Sequence, residues 1–279
     1  MNTALTNPSE LEQHFAFGKN WLRFLSHVDE RRIEHAKQSF LGFVGSEPMS
    51  GTCFLDIGCG SGLSSLVARR CGMRVTAFDF DPDAVACSVE MRRRFNSGME
   101  QWSIERGDVL DTAYTGRLGQ FDLVYAWGSL HHTGDLWLAI DNAAACARDG
   151  GRFYLAVYND QGRTSRHWRA VKKLYQALPK SLRPLLVAAF VPIQWGKTII
   201  RDTLGGNPLA TWSDYSRERG MSPWHDMVDW VGGYPFEVAK PEQVLDFLRQ
   251  RGFSLEKLKT CGGGLGCNEF LFRKTSDGR

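Results

Sequence analysis

The residues best suited to chemistry begin with a glycine-rich run, Leu55-Asp56-Ile57-Gly58-Cys59-Gly60-Ser61-Gly62. It sits between an apolar segment that reads as a buried strand (Thr52 to Ile57) and one that reads as a helix (Leu63 to Cys71). Glycines at such a bend let a ligand lie directly against the backbone, and the helix that follows offers unpaired N–H groups. Asp79 comes 21 residues after Gly58, at the end of a second apolar segment, Arg74 to Asp79. A carboxylate there can accept hydrogen bonds from both hydroxyls of an adenosine ribose. Asp108, after a third segment, can accept from an adenine amino group. The loop departs from the dinucleotide pattern, because Gly62 follows Gly60 by two residues and an acid, Asp56, precedes Gly58 by two. An acidic loop suits a cationic sulfonium ligand with an amino-acid tail better than it suits a pyrophosphate.

These residues need a scaffold that brings several strand ends to one edge. The chain supplies short apolar runs alternating with helical stretches: strands at 52–57, 74–79, 102–106, 121–126 and 152–157, with a helix over 134–148 closed by Gly150-Gly151. Asp81 and Pro82 mark a helix start as N-cap and first helical residue. Alternation of this kind predicts an α/β fold, a doubly wound Rossmann-like parallel sheet covered on both faces, with its ligands at the carboxyl ends of the strands. Residues 1–49 read as a helical extension, 50–158 as the ligand-binding core, 159–240 as a helical lid, and 241–279 as a helix over 241–251 plus two final strands. Those strands, Ser254 to Thr260 and Asn268 to Arg273, are expected to pair antiparallel through the Gly262-Gly263-Gly264 loop. The lid carries Trp168, Trp195, Trp212, Trp224 and Trp230, rings that have to be buried against something.

At LDIGCGSG (55–62), VTAFDFD (75–81), ERGDVLD (105–111) and FDLVYAWGSLHHTGD (121–135), the sequence resembles the class I S-adenosylmethionine-dependent methyltransferases, in their small-molecule, quinone-methylase-like branch. The resemblance implies the methyltransferase form of the doubly wound sheet and S-adenosylmethionine as cofactor. By that resemblance Gly58, Cys59, Gly60 and Gly62 line its methionine and ribose portion, and Asp56 orders the loop or reaches the amino group. Asp79 holds the ribose, Phe80 packs on adenine, Asp108 and Val109 frame the adenine edge, and Ala126, Trp127 and Gly128 follow the fourth strand facing the sulfonium. The Asn/Asp-Pro-Pro-aromatic signature of amino-directed nucleic-acid methyltransferases is missing from the sequence.

Methyl transfer asks the protein to position a nucleophile and exclude water, and a base helps only where the nucleophile must lose a proton. His131 and His132, just past the fourth strand, are candidates for that base, or they order the loop through backbone hydrogen bonds. Tyr158 and Asn159, after the fifth strand, are candidates for catalysis and substrate contact, with Asp160 beside them; a turn held by Asn and Asp is the plain alternative. His225, Asp226, Tyr234 and Glu237 in the lid are further substrate candidates, in segments that would serve equally as a docking surface. Trp21, with Asn20, either closes over the cofactor or anchors the N-terminal helix. The expected reaction is methylation of a small-molecule acceptor, at oxygen in preference to nitrogen. Two alternatives stay open: a reaction that consumes the cofactor without methylating and releases methylthioadenosine, and a non-catalytic binding module on the same fold.

Composition narrows the partners. Hydrophobic residues make up 43% of the chain and charged residues 23%, which excludes a disordered protein. A net charge of +3 advertises neither nucleic acid nor anionic membrane. The most apolar stretch, Leu185 to Ile193, lies between Pro184 and Ile193 with Pro192 inside it, too short to span a bilayer. Seven cysteines without zinc or redox-pair spacing, and a polar, acidic start at MNTALTNPSELEQ, suggest a cytoplasmic protein without metal. The expected partners are therefore a small-molecule substrate, no nucleic acid and no membrane, with a homo-oligomer left open.

Overall fold

The computed structural model describes Leu25 and residues 28–45, 47, 49–95, 101–207, 211–212 and 223–275. Trp21 and Asn20 lie outside these, as does the stretch from Arg219 to Ser222, and nothing is described of the His225 side chain. Helix α1 (Glu30–Val44) is capped by Asp29, whose carboxylate accepts from the Arg32 N–H at 2.8 Å. Then follow β1 (Cys53–Ile57), α2 (Leu63–Arg70), β2 (Arg74–Asp79), α3 (Pro82–Phe95), β3 (Trp102–Arg106), α4 (Thr112–Arg117) and β4 (Phe121–Trp127). A 3₁₀ turn at Leu130–His132 leads to α5 (Leu136–Ala145) and β5 (Ala147–Tyr158).

The seven strands form one sheet in the order β3-β2-β1-β4-β5-β7-β6, where β6 is Phe253–Lys259 and β7 is Cys267–Lys274. The first five are parallel; β7 runs antiparallel to β5 and to β6, as expected from the closing glycine loop. Alternation along the buried strands divides the core. Phe54, Val75, Leu123, Tyr154 and Leu271 face α1–α3, while Leu55, Val124, Phe153, Leu155 and Phe270 face α4, α5 and α9 (Pro241–Arg249). The N-terminal helix belongs to this core: Phe43 stacks on Tyr154 with centroids 4.5 Å apart, and Ile33 is fully buried.

Several boundaries differ from the sequence reading, among them the helix expected over 134–148, which runs Leu136–Ala145. β5 begins at Ala147 instead of Arg152, so Gly150 and Gly151 lie within the strand and do not close a helix. The reason is a register irregularity against β4 between Phe121 and Leu123. Gly150 takes φ +70°, and Gly151 approaches so closely that a Cβ there would lie 2.9 Å from the Phe121 carbonyl oxygen. β4 runs one residue further, through Trp127, so Ala126 and Trp127 end the strand instead of following it. Helix α9 stops at Arg249, two residues before the expected 251.

Between β5 and α9 lie α6 (Arg163–Ala177), α7 (Arg183–Leu204) and α8 (Pro223–Gly232). Trp168, Val171, Tyr175, Val187, Met227, Val231 and Phe236 bury one another in a third cluster, against which Tyr158 of β5 and Trp230 of α8 pack. The aromatic content of the segment is thus largely spent on its own small core, joined to the sheet through Tyr158. Among the described residues no helix is long and apolar enough to cross a membrane.

Candidate active site

The bend after β1 is built by close approaches. Gly58, Gly60 and Gly62 take φ of +72°, +52° and +79°, left-handed values that side chains resist. A Cβ on Gly58 would sit 2.3 Å from the Ser129 Cβ, and one on Gly62 would sit 2.9 Å from the Ser88 Oγ. Ser129 donates to the Ile57 carbonyl at 2.7 Å, and Ser88 donates to the Gly60 carbonyl at 3.1 Å. The loop is therefore gripped from β4's end on one side and from α3 on the other. Cys59 is buried, 3.2 Å from the Ser88 hydroxyl, and its thiol is pushed well above its usual range, chiefly by burial.

Asp79 at the tip of β2 accepts from the Gly60 N–H and from the Asp81 N–H, both at 2.9 Å. Asp56, fully inside, accepts from the Ser65 hydroxyl at 2.6 Å. Burial raises both carboxyls, Asp56 to about 7 and Asp79 to about 6, and the field of Asp79 adds to the shift on Asp56. The hydrogen bonds that hold them come from backbone N–H and serine hydroxyl groups, with no cationic side chain among the donors. A buried acid and a half-buried one, with no cationic donor to either among the described residues, beside a concave glycine backbone suit a positively charged ligand, which would supply the missing charge. The residues present therefore fit S-adenosylmethionine, with its sulfonium and ammonium groups.

The adenine-side candidates lie next along the same edge. Phe80 follows β2, with the Arg106 guanidinium 5.6 Å above its ring. Asp108 accepts from the Leu110 N–H at 2.8 Å in a tight turn. Val109 is buried, its carbonyl accepting from Asn142 at 2.9 Å. Ala126 is a core side chain, so it can present only backbone to a ligand, whereas Trp127 is exposed and donates from Nε1 to Glu269 at 3.2 Å. A cavity of about 430 Å³ lined by Cys53, Arg74 and Trp102 lies at the opposite, amino-terminal ends of the strands. Ligands of open parallel sheets bind at the carboxyl ends instead.

The structure brings His131, His132 and Tyr158 together. The His131 ring lies 3.8 Å from the Tyr158 ring and 4.5 Å from that of His132. His131 is completely buried, and burial pushes it well below the usual histidine range, so it is neutral at pH 7. His132 approaches the Pro235 carbonyl at 2.6 Å through Nδ1, which must therefore carry a proton, so that in the neutral ring the lone pair is on Nε2. The Tyr158 phenol is raised above its ordinary value, mainly by burial and then by the fields of Cys267, Asp226 and Asp229.

Two other expected substrate contacts, Asn159 and Glu237, make hydrogen bonds within the fold. The Asn159 Oδ1 accepts from Asn268 at 3.0 Å, and its backbone pairs with Ala239. Glu237 accepts from the Gly134 N–H at 3.1 Å, while its own N–H donates to the His131 carbonyl at 3.0 Å. Tyr234 is half-buried in the loop that carries Pro235, and Asp226 is half-buried on α8. Residues to which the sequence reading gave no role are Ser65, Ser129, Asn268 and Lys172. Only Lys172 left a signal: Trp168, Val171, Lys172 and Tyr175 recur at helical spacing, which places a lysine on the apolar face of α6.

Residues 24–186, more than half of the chain, match a family model described as a methyltransferase domain. The chain belongs to that methyltransferase family. Among its relatives is the ubiquinone biosynthesis O-methyltransferase of Xylella fastidiosa, 27% identical over 153 residues, covering 54% of this chain and 59% of the relative. The enzyme of the same name from Xanthomonas euvesicatoria is 33% identical over 152 residues, covering 54% and 61%. The matches thus span about three-fifths of these relatives' length. Solved structures share the fold. Magnesium protoporphyrin IX methyltransferase from Synechocystis with bound S-adenosylmethionine gives a TM-score of 0.54 at 12% identity, over 99% of this chain and all of that one. The N-methyltransferase NodS of Bradyrhizobium japonicum gives 0.51 at 17%, over 94% and 100%. The doubly wound methyltransferase architecture expected from the sequence is the one observed.

Proposed function

We propose that this methyltransferase-family chain transfers the methyl group of S-adenosylmethionine to an oxygen of a small organic acceptor. The observation that carries the reading is the pair of carboxylates, buried Asp56 and half-buried Asp79, with no cationic donor among the described residues, flanking a left-handed glycine bend at the carboxyl edge of the sheet. Its relatives' names support oxygen as the acceptor atom.

S-adenosylmethionine supplies an electrophilic methyl carbon on a positive sulfur. Asp56, Asp79 and the backbone of Gly58 to Gly62 bind and orient it, and Asp108 and Phe80 border the base. The acceptor approaches over His131, His132 and Tyr158, at the ends of β4 and β5. A hydroxyl acceptor that took the methyl group would have to give up its proton. His132 is the candidate to take it, because the bond to Pro235 holds its proton on Nδ1 and leaves Nε2 basic. The helices between β5 and α9 act as the lid that excludes water, and Trp21 and His225 are assigned to the cofactor and acceptor sides respectively.

The test is incubation with S-adenosylmethionine and a panel of phenolic and enolic acceptors, followed by mass spectrometry. The expected products are S-adenosylhomocysteine and an acceptor heavier by one methylene. Methylthioadenosine as the released nucleoside, or failure to bind S-adenosylmethionine in calorimetry, would overturn the assignment.

A further inference from the structure

Four buried side-chain nitrogens have no hydrogen-bond partner among the described residues, and two of them, His131 Nε2 and Trp230 Nε1, belong to rings that pack on Tyr158. Their chemistry is the same. The His131 Nδ1 faces the Tyr158 backbone N–H at 3.4 Å and so acts as acceptor, which puts the proton of this neutral ring on Nε2. Indole Nε1 is a donor only. A third donor stands beside them. Lys172 is 1% exposed, and its ammonium lies 4.6 Å from the Trp230 ring centroid and 4.9 Å from that of Phe236. Among the described residues it donates to the Trp230 carbonyl, although an ammonium has three protons to give.

The rings close the group. Tyr158 and Phe236 are 5.4 Å apart, and Tyr158 and Trp230 are 5.8 Å apart. His131 and Trp230 both pack on Tyr158, and Lys172 lies against Trp230 and Phe236, so the three donors are grouped around one set of rings between the inserted helices and the sheet edge. Native interiors keep few unsatisfied donors, and a cluster of them calls for an explanation. One water accepts two hydrogen bonds, whereas a carboxylate or phenolate accepts more and adds negative charge beside the buried lysine. The field of Asp229 only partly offsets the burial of Lys172, which leaves its ammonium easier to deprotonate, at about 7.

We propose that His131, Trp230 and Lys172 form an oxyanion-recognition site at the junction of α6, α8 and the ends of β4 and β5, which selects methyl acceptors bearing a carboxylate or phenolate. The proposal rests on the methyl-transfer reading only in calling the ligand an acceptor; the binding itself is independent of it. His131 lies two residues beyond Ser129, which packs on the cofactor loop at Gly58, so an anion held here keeps the rest of its molecule along the edge where the methyl group would arrive.

The test is calorimetry on the full chain with acetate, benzoate and 3,4-dihydroxybenzoate, each against its own carboxamide, which has the same shape without the charge. At least one carboxylate is expected to bind about tenfold tighter than its amide. Lys172→Met should bring the two within about twofold, and Trp230→Phe, which keeps a ring and deletes one donor, should weaken the acid about threefold to tenfold with little change for the amide. S-adenosylmethionine affinity should stay within about twofold of wild type in both variants. Equal binding of every acid and its amide by the wild type overturns the proposal. So does a preference for the acid that persists in Trp230→Phe, the milder variant, or in Lys172→Met. Failure of the wild type to bind S-adenosylmethionine strikes the methyl-transfer reading instead, and leaves the acid-against-amide comparison to be read by itself.

Discussion

Gly58 and Ser129 are locked against each other: there is room for a hydrogen on the Gly58 Cα and for nothing larger, because a Cβ would lie 2.3 Å from that of Ser129. The contact ties the bend after β1 to the end of β4, so the surface that would hold the cofactor and the loop that leads to His131 move as one unit. Gly58→Ala adds a clash to a φ of +72°. It should cost at least about 1–2 kcal/mol of stability from the backbone alone. Affinity for S-adenosylmethionine should fall more than about tenfold. Adding Ser129→Gly removes the obstructing Cβ and should restore part of that affinity but not the backbone cost. Thermal unfolding and calorimetry on the two variants separate the contributions.

The acids predict a pH dependence with a definite sign. A cationic ligand binds the ionised forms of Asp56 and Asp79, whose values in the free protein stand near 7 and near 6. Protons therefore compete with the ligand, and affinity should fall as pH drops from about 8 to about 5.5, approaching tenfold per pH unit for each carboxylate that must be ionised. A flat affinity across that window, measured in matched buffers, would show that neither carboxylate has to be charged.

Ser65→Ala removes the 2.6 Å hydrogen bond that favours the ionised form of Asp56. The Asp56 carboxyl should then rise further, and the midpoint of the pH-affinity curve should move up by on the order of one pH unit. A midpoint that moves down, or that stays where it is, would separate Asp56 from ligand binding.

Asn268 is 1% exposed and works at both ends: it donates to Asn159 at 3.0 Å and accepts from the Cys261 N–H at 3.1 Å. Asn268→Ala should lower stability by about 1–3 kcal/mol. Asn159→Ala added to it should cost little more, since the shared bond is already gone, and a double-mutant cycle in denaturant should show a coupling of about 1 kcal/mol. Strict additivity would mean that the pair does not interact in solution.

Much of this molecule is written in local sequence. The strand–glycine bend–helix unit at 53–70, the Pro82 helix start and the two closing strands appear where alternation and turn chemistry put them, because buried parallel strands need continuous apolar runs and left-handed bends need glycine. Asp56 and Asp79 were legible for the same reason, since their positions follow from strand ends. The beginning of β5 was not, because the irregularity that absorbs Gly150 and Gly151 depends on the partner strand β4.

What tertiary structure decided was which polar groups face one another. Asn159 and Asn268 are 109 residues apart, and no period in either segment announces their bond. Glu237 carries a side chain suited to acid–base work, yet a backbone N–H at Gly134, 103 residues away, engages it. Lys172 shows as a lysine on an apolar helix face, but its placement between Trp230 and Phe236 arises only when the inserted helices fold onto Tyr158. Local pattern sets which elements form and where the chain turns, since those energies act over a few residues. The pairing of donors with acceptors across the sheet edge is fixed only by packing, because a hydrogen bond or a buried charge takes its value from neighbours brought near by the fold.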